Sequence, residues 1–176
     1  MSGLAVRRAN VEDALAIGAV HVAAWRSTYP GILPERYLAR LSVSREASYY
    51  ATAIQTGGGV FVATVGDPGR VIGFATAGPG RNDAPAEGEI ETLYVLDDYR
   101  EQGAGRMLMA RAATHLAEAG CGSAYVWVLR DNPYRWFYGH LGGKPALEKT
   151  VGWAGVTLVQ TAYVWQPIDL LFGPIT

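Results

Sequence analysis

The sequence predicts an α/β fold in which one central mixed β-sheet carries helices on both faces. Its 176 residues fit a single domain. Hydrophobic residues make up 49% and charged residues 18%, the balance of a chain with a packed core rather than a disordered one. Helical and extended segments follow one another in the order βαααβββαβαββ, which favours a mixed sheet between helical layers. We therefore expect one domain over residues 1–176.

The first third of the chain is mainly helical after an initial strand at Leu4–Arg8. Asn10 or Asp13 can cap the first helix, and Pro30 ends the segment because the residue before a proline is pushed out of helical geometry. Proline also suits the first turn of a second helix, and a serine can cap a third. The predicted helices are Asp13–Ser27, Pro34–Leu41 and a third that begins at Ser42 or Ser44 and runs to about Ile54.

Strands dominate after the turn at Gly57-Gly58-Gly59. Two runs of β-branched and aromatic residues are joined by Gly66-Asp67-Pro68-Gly69, which predicts a hairpin. A later strand–helix–strand unit predicts a parallel, right-handed crossover. The predicted elements are strands at Val60–Val65, Arg70–Ala77, Glu87–Val95, Ser123–Leu129, Pro145–Val151 and Val156–Trp165, and helices at Gly103–Ala119 and Pro133–Leu141.

Composition excludes several classes of function. With 15 basic and 16 acidic residues the net charge is −1, which leaves no electrostatic footprint for nucleic acid or an anionic membrane. No apolar run approaches the ~20 residues of a membrane-spanning helix, and the first residues show no signal peptide. Cys121 is the single cysteine, which fits a reducing compartment, and the histidines lack metal-ligand spacing. We expect a cytoplasmic protein without a metal, and exposed strands near the C-terminus favour a homodimer.

The most informative segment is a glycine loop between a strand and a helix, Arg100-x-x-Gly103-x-Gly105. The first N–H groups of a helix have no internal partner, and the helix dipole places partial positive charge there. Glycines let the backbone approach a pyrophosphate, and Arg100 and Arg106 can add charged donors. The segment therefore predicts an anion cradle.

Three kinds of phosphate-binding loop form such a cradle, and the sequence distinguishes between them. A P-loop needs a Gly-Lys-Ser/Thr ending, which the sequence lacks. The dinucleotide fingerprint needs a third glycine at the position of Leu108. That fingerprint also lies early in its domain, whereas this loop lies late in the chain. An acyl-CoA loop is the third possibility.

The segment from Glu89 to Gly105 resembles motif A of the GNAT superfamily, the acyl-CoA N-acyltransferases. That family shows Gln/Arg-x-x-Gly-x-Gly/Ala after a strand, and often a glutamate on the strand itself, matched here by Glu89. Downstream, the family's Asn-led helix with Phe/Tyr-Tyr, followed by Leu-Gly-Phe or Leu-Gly-Gly, is matched by Asn132, Phe137-Tyr138 and Leu141-Gly142-Gly143. The order of elements agrees over nearly the whole chain.

The resemblance implies a V-shaped gap between the strands at Glu89–Val95 and Ser123–Leu129, in which the pantetheine arm of acetyl-CoA would pair with free backbone groups. It also implies direct attack of an amine on the thioester, with no covalent enzyme intermediate. The implied cofactor-binding residues are Leu93, Tyr94, Val95, Arg100, Glu101, Gln102, Gly103, Ala104, Gly105, Arg106 and Asn132.

Two glutamates on the motif A strand are candidates for acid–base chemistry. An alkyl ammonium with a pKa near ~10 must lose a proton before it attacks, and Glu89 is the candidate base, acting directly or through a water. Period-two alternation places Glu89, Glu91 and Leu93 on one face, where Glu91 would contact the acceptor. Alternatively, both carboxylates lie at the solvated start of the strand or pair with an arginine such as Arg81.

Tyr138 is the candidate acid for the departing thiolate, although Tyr134, Tyr138 and Leu141 have the helical spacing of an ordinary core stripe. The resemblance places Trp25 and Tyr29 where family members shape the acceptor pocket, and core packing is the alternative for Trp25. The predicted activity is acetyl transfer to a small-molecule amine. A protein N-terminus or lysine as acceptor, and a catalytically silent acyl-CoA-binding module, are the alternatives.

Overall fold

The computed structural model describes residues 3–173 and contains a seven-stranded mixed sheet with strand order β1-β2-β3-β4-β5-β7-β6. The strands are β1 Ala5–Arg8, β2 Gly59–Val65, β3 Arg70–Pro79, β4 Gly88–Val95, β5 Ala124–Leu129, β6 Lys144–Trp153 and β7 Val156–Trp165. The helices are α1 Ala14–Thr28, α2 Glu35–Ala39, α3 Val43–Gln55, α4 Ala104–Glu118 and α5 Trp136–His140. None of the helices in this part of the chain is long and apolar enough to cross a bilayer.

Helices cover both faces of the sheet, as predicted. The side chains of α4, among them Leu108 and Leu116, form one buried cluster with alternate residues of the central strands. On the opposite face, Ile17 and Val20 of α1 and Tyr50 of α3 pack on Val62 and its neighbours. The α/β fold class and the order of elements are confirmed.

The local signals that begin and end elements act largely as expected. Asn10 caps the turn before α1 by accepting a hydrogen bond from the Glu12 amide, and Ser42 caps α3 through the Arg45 amide. The hairpin between β2 and β3 is antiparallel. The predicted helix at Pro133–Leu141 is shorter, however: its first residues form a turn because the Asn132 side chain accepts a hydrogen bond from the Tyr134 amide at 2.8 Å. Regular helix begins only at Trp136.

The middle of the sheet is only partly joined. Strands β4 and β5 are parallel, but they pair at two positions alone, Gly88 with Ala124 and Glu89 with Tyr125. Beyond Glu89 they diverge, and β5 continues its ladder with β7 over its full length. The gap that the resemblance implied is therefore present.

A β-bulge interrupts β4 at Glu91. Thr92 pairs with Thr76 and Ile90 pairs with Ala77 on β3, so that Glu91 is the extra residue on its strand. The bulge shifts the alternation of side chains by one position. Leu93 consequently packs with the α4 cluster, and the prediction that Leu93 shares a face with Glu89 and Glu91 is wrong.

His21 on α1 is buried behind this part of the sheet. Its Nδ1 lies 2.9 Å from the Tyr50 hydroxyl, its Nε2 lies 3.8 Å from Glu46, and its ring stacks on Trp25. Burial lowers the pKa of His21 from 6.5 to about 4. The imidazole is therefore neutral in the folded protein at neutral pH.

This burial predicts a loss of stability in acid. Because the folded pKa is the lower one, the unfolded chain takes up the extra proton as pH falls from about 6.5 towards 4, and stability falls over that window. Between pH 7.5 and pH 5 the wild type should lose about 1–2 kcal/mol more than His21→Gln, measured as the difference in free energy of unfolding in urea. Equal losses in the two proteins would show that His21 does not titrate this way.

Candidate active site

A cavity of about 1140 Å³ opens where β4 and β5 diverge. Its wall is formed by the end of α1, by β4, by the loop into α4 and by the segment that leads into α5. Most of the residues that the sequence singled out line it, namely Trp25, Tyr29, Glu89, Glu91, Leu93, Tyr94, Val95, Arg100, Glu101, Gly103, Gly105, Arg106, Asn132 and Tyr138.

Two of the predicted cofactor-binding residues do not line this cavity. The side chain of Gln102 turns back along the loop and donates a hydrogen bond to the Asp98 carbonyl. Ala104 is buried, and its side chain belongs to the α4 core cluster. Their side chains therefore stabilise the loop and the first turn of α4 rather than the cavity wall.

The N-terminus of α4 faces the cavity. Gly103 caps the helix with φ at +95°, a left-handed conformation that a residue with a Cβ adopts only with strain. The Met107 amide donates to the Gly103 carbonyl at 3.0 Å, and the helical amides before it have no carbonyl one turn earlier. This loop and first turn therefore present free donors and partial positive charge to the cavity.

Arg100 is held at the edge of this cradle. Its guanidinium lies 3.7 Å from the centroid of the Tyr134 ring, and it donates to the Thr28 hydroxyl at 3.3 Å. Its Nε is buried 3.0 Å from Asp97, without the alignment of a hydrogen bond. Arg106, on the first turn of α4, is exposed.

Glu89 is buried in a network of three groups. Arg81 donates to its two carboxylate oxygens at 2.9 Å each, and the Tyr125 hydroxyl donates at 3.0 Å. The pairing with Arg81, one of the alternatives for this residue, is thus present in the structure. The same ion pair raises the pKa of Arg81, and the Arg81 side chain is largely exposed at the mouth of the cavity.

Glu91 stands at the bulge with its side chain open to the cavity. Partial desolvation inside the cavity raises its pKa, and the negative charge of Glu89 raises it further. A carboxylate with a raised pKa is a better proton acceptor than an ordinary surface glutamate. Both glutamates of β4 therefore line the same cavity.

Tyr138 lies between the core and the cavity. Its ring packs against Tyr163 and Trp165 in the α4 cluster, while the residue also lines the cavity. Burial raises the pKa of its hydroxyl, which therefore stays protonated at neutral pH. Tyr134 does not share this position, because it is exposed and stacks on Arg100.

Aromatic residues from α1 and β6 form part of the cavity wall. Trp25 and Tyr29, both buried, pack edge-to-face, and Trp25 also meets Trp153 at a centroid distance of 4.9 Å. Asn132 donates to the Tyr29 hydroxyl at 3.4 Å. The aromatic wall of the cavity is therefore formed jointly by the end of α1 and by Trp153 of the β6–β7 hairpin.

Sequence reasoning missed Tyr125 and the bulge. Tyr125 becomes a partner of Glu89 only through the parallel register of β4 and β5, which no local pattern encodes. The sequence carries one weak signal of the bulge. Two carboxylates separated by a single residue would lie on one face of a continuous central strand, where burying both charges is energetically costly.

A family model described as "Acetyltransferase (GNAT) family" matches residues 22–142. The chain belongs to the GNAT acetyltransferase family. It is 36% identical over 168 residues to the "Uncharacterized N-acetyltransferase YuaI" of Bacillus subtilis, an alignment that covers 94% of this chain and 95% of that protein. The recognition made from motif A is confirmed, and the protein is an acyltransferase.

Solved structures of this fold include one with acetyl-CoA and one with coenzyme A. The structure of yncA from Salmonella typhimurium with its cofactor acetyl-CoA matches with a TM-score of 0.71 and 20% identity, over 93% of this chain and 94% of that one. The PaiA N-acetyltransferase of Thermoplasma acidophilum in complex with coenzyme A matches with a TM-score of 0.66 and 20% identity, over 90% and 97% of the two chains. Residues 3–173 place no group of three or more His, Cys, Asp or Glu for a metal ion.

Proposed function

We propose that this GNAT protein is a single-domain, acetyl-CoA-dependent enzyme that passes the acetyl group to an amine of a small molecule by direct attack. The observation that carries the proposal is the divergence of β4 and β5 after two residue pairs. It opens one cavity that joins the α4 N-terminus, two carboxylates and an aromatic wall. Donor, base and acceptor would thereby share one space.

The donor end of the cavity suits acetyl-CoA. The free amides of the first turn of α4, together with Arg100 and Arg106, would bind the pyrophosphate, because helix amides and guanidinium groups both donate to anions. Beyond Glu89, β4 is unpaired towards β5, so its backbone from Leu93 to Val95 is free to pair with the pantetheine amides. The backbone amide of Leu93 or Tyr94 would stabilise the oxyanion.

Acid–base chemistry falls to three side chains. Glu89, fixed by Arg81 and Tyr125, would orient and polarise the water through which the ammonium loses its proton. Glu91 would contact the amine. Tyr138 would protonate the departing thiolate, whose ordinary pKa is ~8.5, because its own hydroxyl stays protonated.

The aromatic wall suits a compact acceptor. Trp25 and Tyr29 can contact the alkyl part of an amine or its cation, and Trp153 packs edge-to-face on Trp25 beside them. We propose a small amine rather than a protein, and a cytoplasmic enzyme that forms a homodimer and needs neither nucleic acid nor a membrane.

A thiol-release assay with acetyl-CoA and a panel of amine classes tests this function. Release above the hydrolytic background is expected with at least one small amine, and Glu89→Gln should lower kcat most at pH below the pKa of that amine, with little change in acetyl-CoA affinity. Arg81→Gln is the matched control, because it breaks the same ion pair and keeps the carboxylate. Equal losses in both variants would make Glu89 a structural residue, and no release with any amine would leave only an acyl-CoA-binding module.

A further inference from the structure

The proposed reaction produces one proton per turnover that must leave the enzyme. An ammonium R-NH₃⁺ loses two protons as its nitrogen forms the bond to the acetyl carbon. The C–S bond breaks, the thiolate takes one of these protons, and the other goes to bulk water. With acetyl-CoA and an amine in the main cavity, that proton needs a route that the substrates do not block.

A second, smaller cavity of about 70 Å³ lies between α3 and the sheet. A water molecule occupies roughly 30 Å³ of liquid, so the space admits about two. Tyr49, a residue that is 63% exposed, stands on its wall together with Ala53, Gly58 and Thr76. Glu91 and Thr92 line this cavity as well as the main one.

The bulge places Glu91 at this junction. An added Cβ on Gly78 would lie 2.7 Å from the Glu91 Oε1, so the carboxylate sits over a position that only a glycine leaves open. The hydroxyls of Thr76 and Thr92 are 2.7 Å apart and bridge β3 and β4 next to it. Each hydroxyl can donate and accept, as a relay requires.

We propose that Glu91 takes the proton that leaves the amine in the main cavity and releases it to water in the second cavity. The inference rests on the proposed function and adds to it an exit on the α3 side of the sheet. Glu89 on the same strand and Arg81 in the loop after β3 are the charged groups that act on Glu91, and Glu91 contributes to the raised pKa of the neutral Tyr50 hydroxyl. Glu89 strengthens Glu91 as an acceptor, while Arg81 opposes it.

Closing the second cavity tests the route. Ala53→Leu fills space on its α3 wall, and Gln55→Leu adds the same side chain at an exposed position of that helix. Ala53→Leu should lower kcat about fivefold or more and raise the solvent deuterium isotope effect, with an unchanged KM for acetyl-CoA, because proton transfer becomes the slow step. Gln55→Leu should behave as the wild type.

Gly78→Ala is the second variant, since its Cβ displaces the flexible end of Glu91 rather than backbone. Gly78→Ala should lower kcat by a similar factor. In Glu91→Ala, added formate should restore part of the lost activity, which it would not do if Glu91 had only a structural role. If the wild type is active and Ala53→Leu has the same kcat, the proposed route is wrong and the proposed function still holds. A wild type that releases no thiol with any amine would overturn the function and the route with it.

Discussion

Gly105→Val should weaken the binding of coenzyme A at least about a hundredfold, because the first turn of α4 would lose two or more hydrogen bonds to an anion, each worth about 1.5–3 kcal/mol. A Cβ on Gly105 would stand 3.1 Å from the Phe137 ring. The larger valine must displace Phe137 or tilt that first turn. Either change moves the amides that face the cavity.

Calorimetric titration with coenzyme A measures this loss, and the unfolding midpoint of the same preparation shows that the variant is folded. Gly152→Val is the matched control, because Gly152 lies on β6 with no atom within 4 Å of an added Cβ. Its affinity should be that of the wild type. A folded Gly105→Val protein with undiminished affinity would refute the assignment of the loop.

Tyr138→Phe should lower kcat about a hundredfold. A general acid contributes typically 10²- to 10⁴-fold, and a thiolate is already a fair leaving group, so the low end of that range is expected. The ring packs against Tyr163 and Trp165, and phenylalanine keeps that packing. No hydrogen bond from its hydroxyl is present among residues 3–173, and so the free energy of unfolding should change by less than about 1 kcal/mol.

Measuring kcat and the unfolding midpoint on one preparation separates an acid from a core residue. Tyr163→Phe is the control: Tyr163 is buried beside Tyr138 but does not line the cavity, so its kcat should be unchanged. Tyr138→Phe with full activity and reduced stability would assign Tyr138 to the core alone.

The order of elements could be predicted because each one carries its own local signals. The Asn10 and Ser42 caps and the Gly-Asp-Pro-Gly turn act within a few residues, and the structure places them as expected. The anion cradle is equally local, since Gly103 and α4 are contiguous in the chain. Where a side chain competed with the backbone, as Asn132 does before α5, the predicted boundary moved.

Features that depend on the pairing of distant strands could not be predicted in this way. The partner of Glu89 on β5 follows from register, and the position of Glu91 follows from a bulge that shifts β4 against β3. A period-two pattern assumes an uninterrupted ladder, which is why Leu93 was assigned to the wrong face. Family resemblance located the strand, but the direction of each side chain required the three-dimensional structure.

The short contact between β4 and β5 also has a mechanical consequence. Strands β1 to β4 lie on one side of this contact and β5 to β7 on the other, so the sheet has two halves that pair only at Gly88 and Glu89. Ser123 reinforces the contact, because its hydroxyl and carbonyl accept hydrogen bonds from the Glu87 and Gly88 amides. Helix α4 packs on β2, β3 and β4 of one half and on residues Ile168–Leu171, which follow β7 in the other half, so it joins the two halves together with the β4–β5 contact. A donor molecule bound in the opening would contact both halves of the sheet. Because it binds only the folded protein, its binding would stabilise the whole sheet against unfolding.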